Sequence, residues 1–321
     1  MKRFIYIFFT LMLMASCETP FSLDPGNVEP KIYAFCVPGA EDTTSIIIEI
    51  ARPVGSSKEY DRSKSVVDFR INGEIQEVFF NKGYEHKNLP KDCFYVTRKM
   101  FPGDKVSLEV SLEGVRSVSS STIVPDYPQE TGFVIKRKEG RRSDFIVSYA
   151  DDSDDTYYAA VFYQKRREYN ESNDYEYIFY DVKFSGYEFD PFMSSPELVM
   201  NAMNNGNGLY FWKNSDAREK DGKKVVTFSE YITEDVKYGE HSGADYSYEA
   251  RIYRMTEELY NYYYSENVAG ENYFNDFGMS RNNPVYTNIA GGFGILGGMA
   301  SRSHVFDTTS QEDDRYLPEV Q

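Results

Sequence analysis

Period-two alternation of apolar and polar side chains narrows what this chain can fold into more than any other feature. Lys105-Val106-Ser107-Leu108-Glu109-Val110-Ser111-Leu112 alternates without a break and puts Val106, Leu108, Val110 and Leu112 on one face. Successive strand side chains point to opposite faces, so this pattern predicts a half-buried strand. Ser45–Ile50 repeats it with Ile46, Ile48 and Ile50. Val66–Ile71 and Glu74–Phe80 flank Asn72-Gly73, and Asn-Gly supplies the two positive φ angles of a tight hairpin turn. Pro102-Gly103-Asp104 predicts a further turn. Residues 31–124 therefore read as an antiparallel sandwich, Ig-like or transthyretin-like.

Val124-Pro125-Asp126-Tyr127-Pro128 reads as a linker into a second β-rich domain over residues 129–310. Phe145, Val147 and Tyr149 alternate there. Tyr157–Tyr163, Tyr175–Val182, Leu209–Trp212, Val225–Phe228 and Tyr246–Tyr253 are strand-like. The 28 Tyr and 23 Phe of the chain suit strands better than helices, so the fold class is mainly β. One short helix stands out. Thr256 suits the N-cap, Glu257 and Glu258 fall where the helix dipole favours acids, Leu259 and Tyr263 share a face, and the helix should run to about Glu266. Residues 311–321 read as a loose acidic tail.

The N-terminus carries an address. Met1-Lys2-Arg3, the apolar run Phe4–Met14 and the small pair Ala15-Ser16 form a secretory leader over residues 1–16. Cys17 directly after the small pair looks like a bacterial lipobox, which implies cleavage before Cys17 and lipid on it. A membrane-spanning helix needs about 20 apolar residues; this run is shorter and is ended by Glu18, Pro20 and Asp24. Residues 17–30 then read as a lipidated tether. The formal net charge is −16 at pH 7, and loss of the leader would remove Lys2 and Arg3 as well. Such a body repels phosphate backbones and anionic lipid, which disfavours nucleic-acid partners and leaves membrane attachment to the lipid.

Chemistry-bearing patterns are sparse. Gly292-Phe293-Gly294-Ile295-Leu296-Gly297 fits G-x-G-x-x-G, but a dinucleotide fold needs a βαβ unit and an acid about 20 residues on. The polar end of the chain offers neither, so these glycines read as a bulge, a bend or a close backbone approach. Asp151-Asp152-Ser153-Asp154-Asp155 lacks the spacing of a calcium loop and reads as a solvated turn. His86, His241 and His304 are scattered, with no H-E-x-x-H or G-x-S-x-G. The chain is thus not expected to be an enzyme or to hold a metal or cofactor. Cys36 and Cys93 allow two readings, an export-compartment disulfide or two buried free thiols. The tyrosines of 157–187 and 246–273 should mostly fill the core, the surplus forming a surface for a sugar or a partner protein.

The helix string Thr-Glu-Glu-Leu-Tyr-Asn-Tyr at 256–262, followed by Pro284, Asn288, Ile289, Gly291, Gly292, Gly294, Ile295 and Gly297, resembles the domain-of-unknown-function 4249 (DUF4249) family, outer-membrane lipoproteins of Bacteroidota. Leu296 stands where that family usually has Phe. The resemblance extends over the whole mature layout and brings no catalytic residue. It implies a lipid anchor at the outer membrane, on the cell surface or the periplasmic face. It also implies a non-enzymatic role beside a TonB-dependent receptor in nutrient capture. A free-standing glycan- or peptide-binding module and a structural or adhesion envelope protein are the alternatives.

Overall fold

The computed structural model describes residues 29–53, 56–83, 85–86, 89–137, 142–169, 175–181, 209–231, 246–270 and 284–307. The leader, Cys17, most of the tether, His241 and the acidic tail lie outside these.

The first half folds as Lys31–Cys36 (β1), Thr44–Ala51 (β2), Val66–Ile71 (β3), Glu74–Ile75 (β4), Phe79–Asn81 (β5), Cys93–Val96 (β6), Lys105–Leu112 (β7) and Val115–Ile123 (β8). One sheet runs β4-β3-β7-β8; β1, β2, β6 and β5 follow one another in the facing sheet. The alternation in β7 does what its pattern dictates, with Val106, Leu108, Val110 and Leu112 all buried. They meet Ile32, Ala34, Cys36, Ile46 and Ile48 of the facing sheet, and Ile50 packs against the same core. Asn72 and Gly73 turn β3 into β4 with φ of 53° and 85°.

The run Glu74–Phe80 is not one strand. β4 stops after two residues, and the chain crosses to the other sheet as β5. The apolar weight explains the break. Ile75 is left exposed, whereas Phe80 meets Phe94 edge-on at 4.9 Å and Phe79 stacks on Tyr95 at 5.4 Å. Both rings find aromatic partners on β6, so burying them there outweighs extending the hairpin.

The second half comprises Gln129–Arg137 (β9), Arg142–Ala150 (β10), Tyr157–Tyr169 (β11), Tyr175–Asp181 (β12), Tyr210–Lys213 (β13), Arg218–Lys220 (β14), Lys223–Tyr231 (β15), Tyr246–Met255 (β16), helix α1 (Glu257–Gly270), Phe293–Leu296 (β17) and Met299–Asp307 (β18). A sheet β14-β15-β10-β9 faces a sheet β12-β11-β16-β18, in which β13 also pairs with β11. Their shared core is aromatic: Phe145, Tyr149, Tyr158, Phe162, Tyr210, Trp212, Phe228 and Tyr248. Thr256 takes the N-cap position, its carbonyl accepting from the Tyr260 N–H at 3.1 Å. Its hydroxyl, however, is buried without a hydrogen-bond partner among the described residues. Leu259 and Tyr263 share the buried face, and the helix continues past Glu266 to Gly270.

A third core joins the halves. Phe35 and Ala40 of the first half meet Ala159, Val161, Phe211, Tyr253 and Met255 of the second, with Leu259, Tyr262 and Tyr263 of α1 between them. β1 serves two cores at once: Ile32, Ala34 and Cys36 face the first sandwich, and Phe35 faces this middle layer. The segment that reads as a linker is packed as well. Val124 is buried in the first core, and Arg302 lies over the Tyr127 ring at 5.1 Å.

The Gly-rich stretch makes the decisive connection. β17 pairs with β1, the one parallel pair among the described strands, with Gly294 opposite Ala34. Three residues later the chain enters β18, which pairs with β16 in the other half. A Cβ on Gly294 would fall 2.0 Å from the Ala34 carbonyl oxygen, and its φ is +105°. Gly294→Ala should therefore cost roughly 2–4 kcal/mol, adding overpacking to backbone strain. Gly73→Ala, with a similar φ but nothing within 4 Å of its Cβ, should cost about 1 kcal/mol. Urea unfolding of both variants checks the difference; equal losses would mean that the Ala34 contact yields freely.

Candidate functional site

The residues that carry the family resemblance gather around β17 and act on one another through backbone contacts. Asn288 stands beside the free edge of β17: its Nδ2–H donates to the Leu296 carbonyl at 2.9 Å, and its Oδ1 accepts from the Leu296 N–H at 3.0 Å. A single amide side chain thus replaces a neighbouring strand. The Asn288 carbonyl accepts from the Ser120 hydroxyl at 3.0 Å, and Ala290 forms a two-way bridge with Ser119 of β8. Ile289 and Leu296 enter the first core, and Ile295 enters the middle layer. A Cβ on Gly292 would meet the Ile32 carbonyl at 2.3 Å, and one on Gly297 would meet Leu259 at 2.6 Å. The G-x-G-x-x-G string is therefore a strand with close backbone neighbours. Pro284 is exposed at the start of this segment.

Cys36 and Cys93 are both buried free thiols. The register explains why. Cys36 pairs with Ile46, which pairs with Phe94, so Cys93 lies two strands away and on the opposite face. Two strand spacings are about 10 Å, beyond the roughly 7 Å a disulfide spans between Cα atoms. Burial raises both thiols, Cys93 to about 11, which leaves them unreactive near neutrality.

The acidic loop is built from its own hydrogen bonds. Asp151 accepts from the Tyr158 and Thr156 hydroxyls at 2.5 and 2.8 Å and from the Ser153 N–H at 2.9 Å. Burial alone would raise its carboxyl, but these three donors outweigh burial and hold it below the usual carboxylate range. Asp154 and Asp155 reach Lys224 and Lys213. Beneath the loop, Trp212 donates to the Tyr149 hydroxyl, which donates to Asn214, each at 2.8 Å. Among the described residues no three His, Cys, Asp or Glu side chains gather as a metal would require. His86 meets the Tyr95 hydroxyl at 2.8 Å and His304 the Thr131 hydroxyl at 2.5 Å. Neither imidazole is held by a third group among the described residues, as a base that activates a nucleophile would be.

A second set of tyrosines occupies the seam between the halves. The Tyr33 and Tyr262 hydroxyls lie 2.8 Å apart across it. Tyr263 is fully buried, and its hydroxyl has no hydrogen-bond partner among the described residues. At one rim Arg251 bonds Glu41 from the opposite half at 2.7 Å and Glu249 at 3.4 Å, with its guanidinium over the Tyr163 ring. At the other rim, six residues back along β11 and so about 20 Å away, three rings form a ladder. Tyr157 and Tyr260 are 4.6 Å apart, and Tyr260 and Tyr264 are nearly parallel at 6.1 Å. Tyr264 is half exposed. Burial, Asp216 and the neighbouring rings push the Tyr260 hydroxyl up to about 12, so it is a neutral donor at physiological pH. Sequence reading located the tyrosines but missed Glu41 and Arg251, whose partnership spans 210 positions. The only local signal for the ladder is the i, i+4 spacing of Tyr260 and Tyr264 on α1.

A family model described as a domain of unknown function, DUF4249, matches residues 18–304. That span takes in both sandwiches, the seam and the Gly-rich strand. A search of curated proteins found no match.

Two substitutions test these assignments. Asn288→Asp keeps the shape but sets a carboxylate against the Leu296 carbonyl; it should lower stability by about 2–3 kcal/mol, read by chemical denaturation. Asp151 is held below its unfolded pKa, so its contribution is complete above that value and is lost as pH falls through the folded pKa. Asp151→Asn should flatten the acid limb of the stability–pH curve, and an unchanged slope would dismiss the role given to its three donors.

Proposed function

The chain belongs to the DUF4249 family, and from that premise we propose a lipid-anchored outer-membrane protein that docks on a TonB-dependent receptor as a non-enzymatic accessory in nutrient capture. The observation that carries the reading is the N-terminal segment: a basic start, a short apolar run and Cys17 directly after a small pair. Two or three acyl chains on such a cysteine hold a protein stably, each buried methylene contributing about 0.8 kcal/mol. The body supports the same reading. Its two sandwiches share one buried layer, a build suited to presenting a fixed surface. Its buried tyrosine hydroxyls are raised by burial, which leaves them neutral and poorly placed for proton transfer near pH 7.

A second reading, a free-standing module for a glycan or peptide, draws on the half-exposed rings Tyr260 and Tyr264, because aromatic faces of this kind stack on ligands. Sugar and peptide arrays probed with the soluble chain separate it from the first.

Cys17→Ala should move the protein from the membrane fraction to the soluble fraction with its melting temperature unchanged, measured by fractionation and thermal unfolding. A folded variant that stays with the membrane would transfer the anchoring role to an uncleaved leader or to a bound partner. Affinity purification from detergent-solubilised envelopes should recover a TonB-dependent receptor, and consistent failure to do so would remove the accessory role.

A further inference from the structure

The ladder at the rim of the seam already holds one cation of the chain's own. Lys213 Nζ sits 6.0 Å from the Tyr157 ring centroid and bonds Asp155 at 3.0 Å. Tyr157 thus contacts both the ammonium and Tyr260, Tyr260 stacks on Tyr264, and Tyr264 is half exposed. Carboxylates border the column. Asp216 acts on the Tyr260 hydroxyl and Glu257 on the Tyr157 hydroxyl, and Glu257 and Glu258 both act on nearby Tyr286. Asp155 bonds Lys213, which Asp216 also faces, and Glu257 and Glu258 add two further carboxylates beside the rings.

We propose that this tyrosine ladder is a docking site for a basic peptide segment of a partner protein, with an arginine side chain seated on the exposed part of the Tyr264 ring. The proposal rests on the receptor-docking reading above and names the chemistry of the contact. Three features select the occupant. Ring faces attract cations electrostatically, and Lys213 already lies over the Tyr157 ring in that manner. A guanidinium is planar and weakly hydrated, so it stacks on a tyrosine at less cost than an ammonium. The chain carries a net charge of −16, so a basic partner is steered toward it and an acidic one is repelled. A neutral sugar would also use the rings and would donate its hydroxyls to Asp216, Glu257 and Glu258, but only a cation gains the charge attraction as well.

The test uses the full chain carrying Cys17→Ala in mild detergent and a labelled Gly-Arg-Gly-Arg-Gly peptide. Its counterpart has citrulline at both arginines, which keeps the planar shape and removes the charge. The arginine peptide should bind, more weakly as salt rises, and about tenfold better than the citrulline peptide. Tyr264→Ala and Asp216→Asn should each weaken binding about fivefold or more, Tyr264→Phe should retain it, and all three should melt as the parent does. Equal binding of the two peptides, or no loss in Tyr264→Ala, would overturn the proposal. So would saturable binding of a neutral oligosaccharide that disappears in Tyr264→Ala. Purification of the receptor with wild type and Tyr264→Ala alike would leave docking standing and the ladder refuted. Ladder-dependent peptide binding with no receptor recovered would do the reverse.

Discussion

The rest of the molecule depends on the contact between the backbones of Gly294 and Ala34. No side chain intervenes; a Cβ at 294 would overlap the Ala34 carbonyl. That approach lets β17 pair in parallel with β1, and the pairing gives both strands neighbours on two faces. Parallel strands covered on both sides need apolar residues at successive positions, and Ile295 and Leu296 supply them, one for each core. Gly297 and Gly298 then let the chain pass beside Leu259 and Val124 into β18. Two sandwiches that would otherwise meet through a hinge are joined by one nearly continuous strand.

The layer between the halves shows why tyrosine serves where phenylalanine would pack as well. A seam between two sheets is apolar at its centre and wet at its rims, and a tyrosine can bury a ring while placing its hydroxyl toward either. Tyr33 and Tyr262 use theirs to bond across the seam, while Tyr163 offers its ring to Arg251. Tyr263 departs from this pattern: its buried hydroxyl goes unsatisfied among the described residues, a cost of about 1–3 kcal/mol that the surrounding aromatic contacts offset.

Local pattern made much of this readable. The alternation of Lys105–Leu112, the Asn72-Gly73 turn and the buried Leu259–Tyr263 face all appear as their periodicity dictates. The glycines at 292–297 were legible as a close backbone approach, though not as to which backbone. The break in Glu74–Phe80 was hidden because β6, the partner that captures Phe79 and Phe80, lies further along the chain. The fate of Cys36 and Cys93 followed from register, which composition does not encode. The seam's Glu41–Arg251 pair was beyond local reading for the same reason: nothing near Glu41 announces a guanidinium 210 positions away.

The pairing of β1 with β17 also sets an order of events. The first strand meets its partner about 260 positions later. Closing so long a loop is entropically expensive, and it delays the reward that the contact brings. Until it closes, β1 offers an unpaired edge, the kind of surface on which chains add to one another and aggregate. The first of the described strands to be made is therefore among the last to be completed. A chain cut short anywhere before Phe293 leaves that edge open, however well the strands before it have folded.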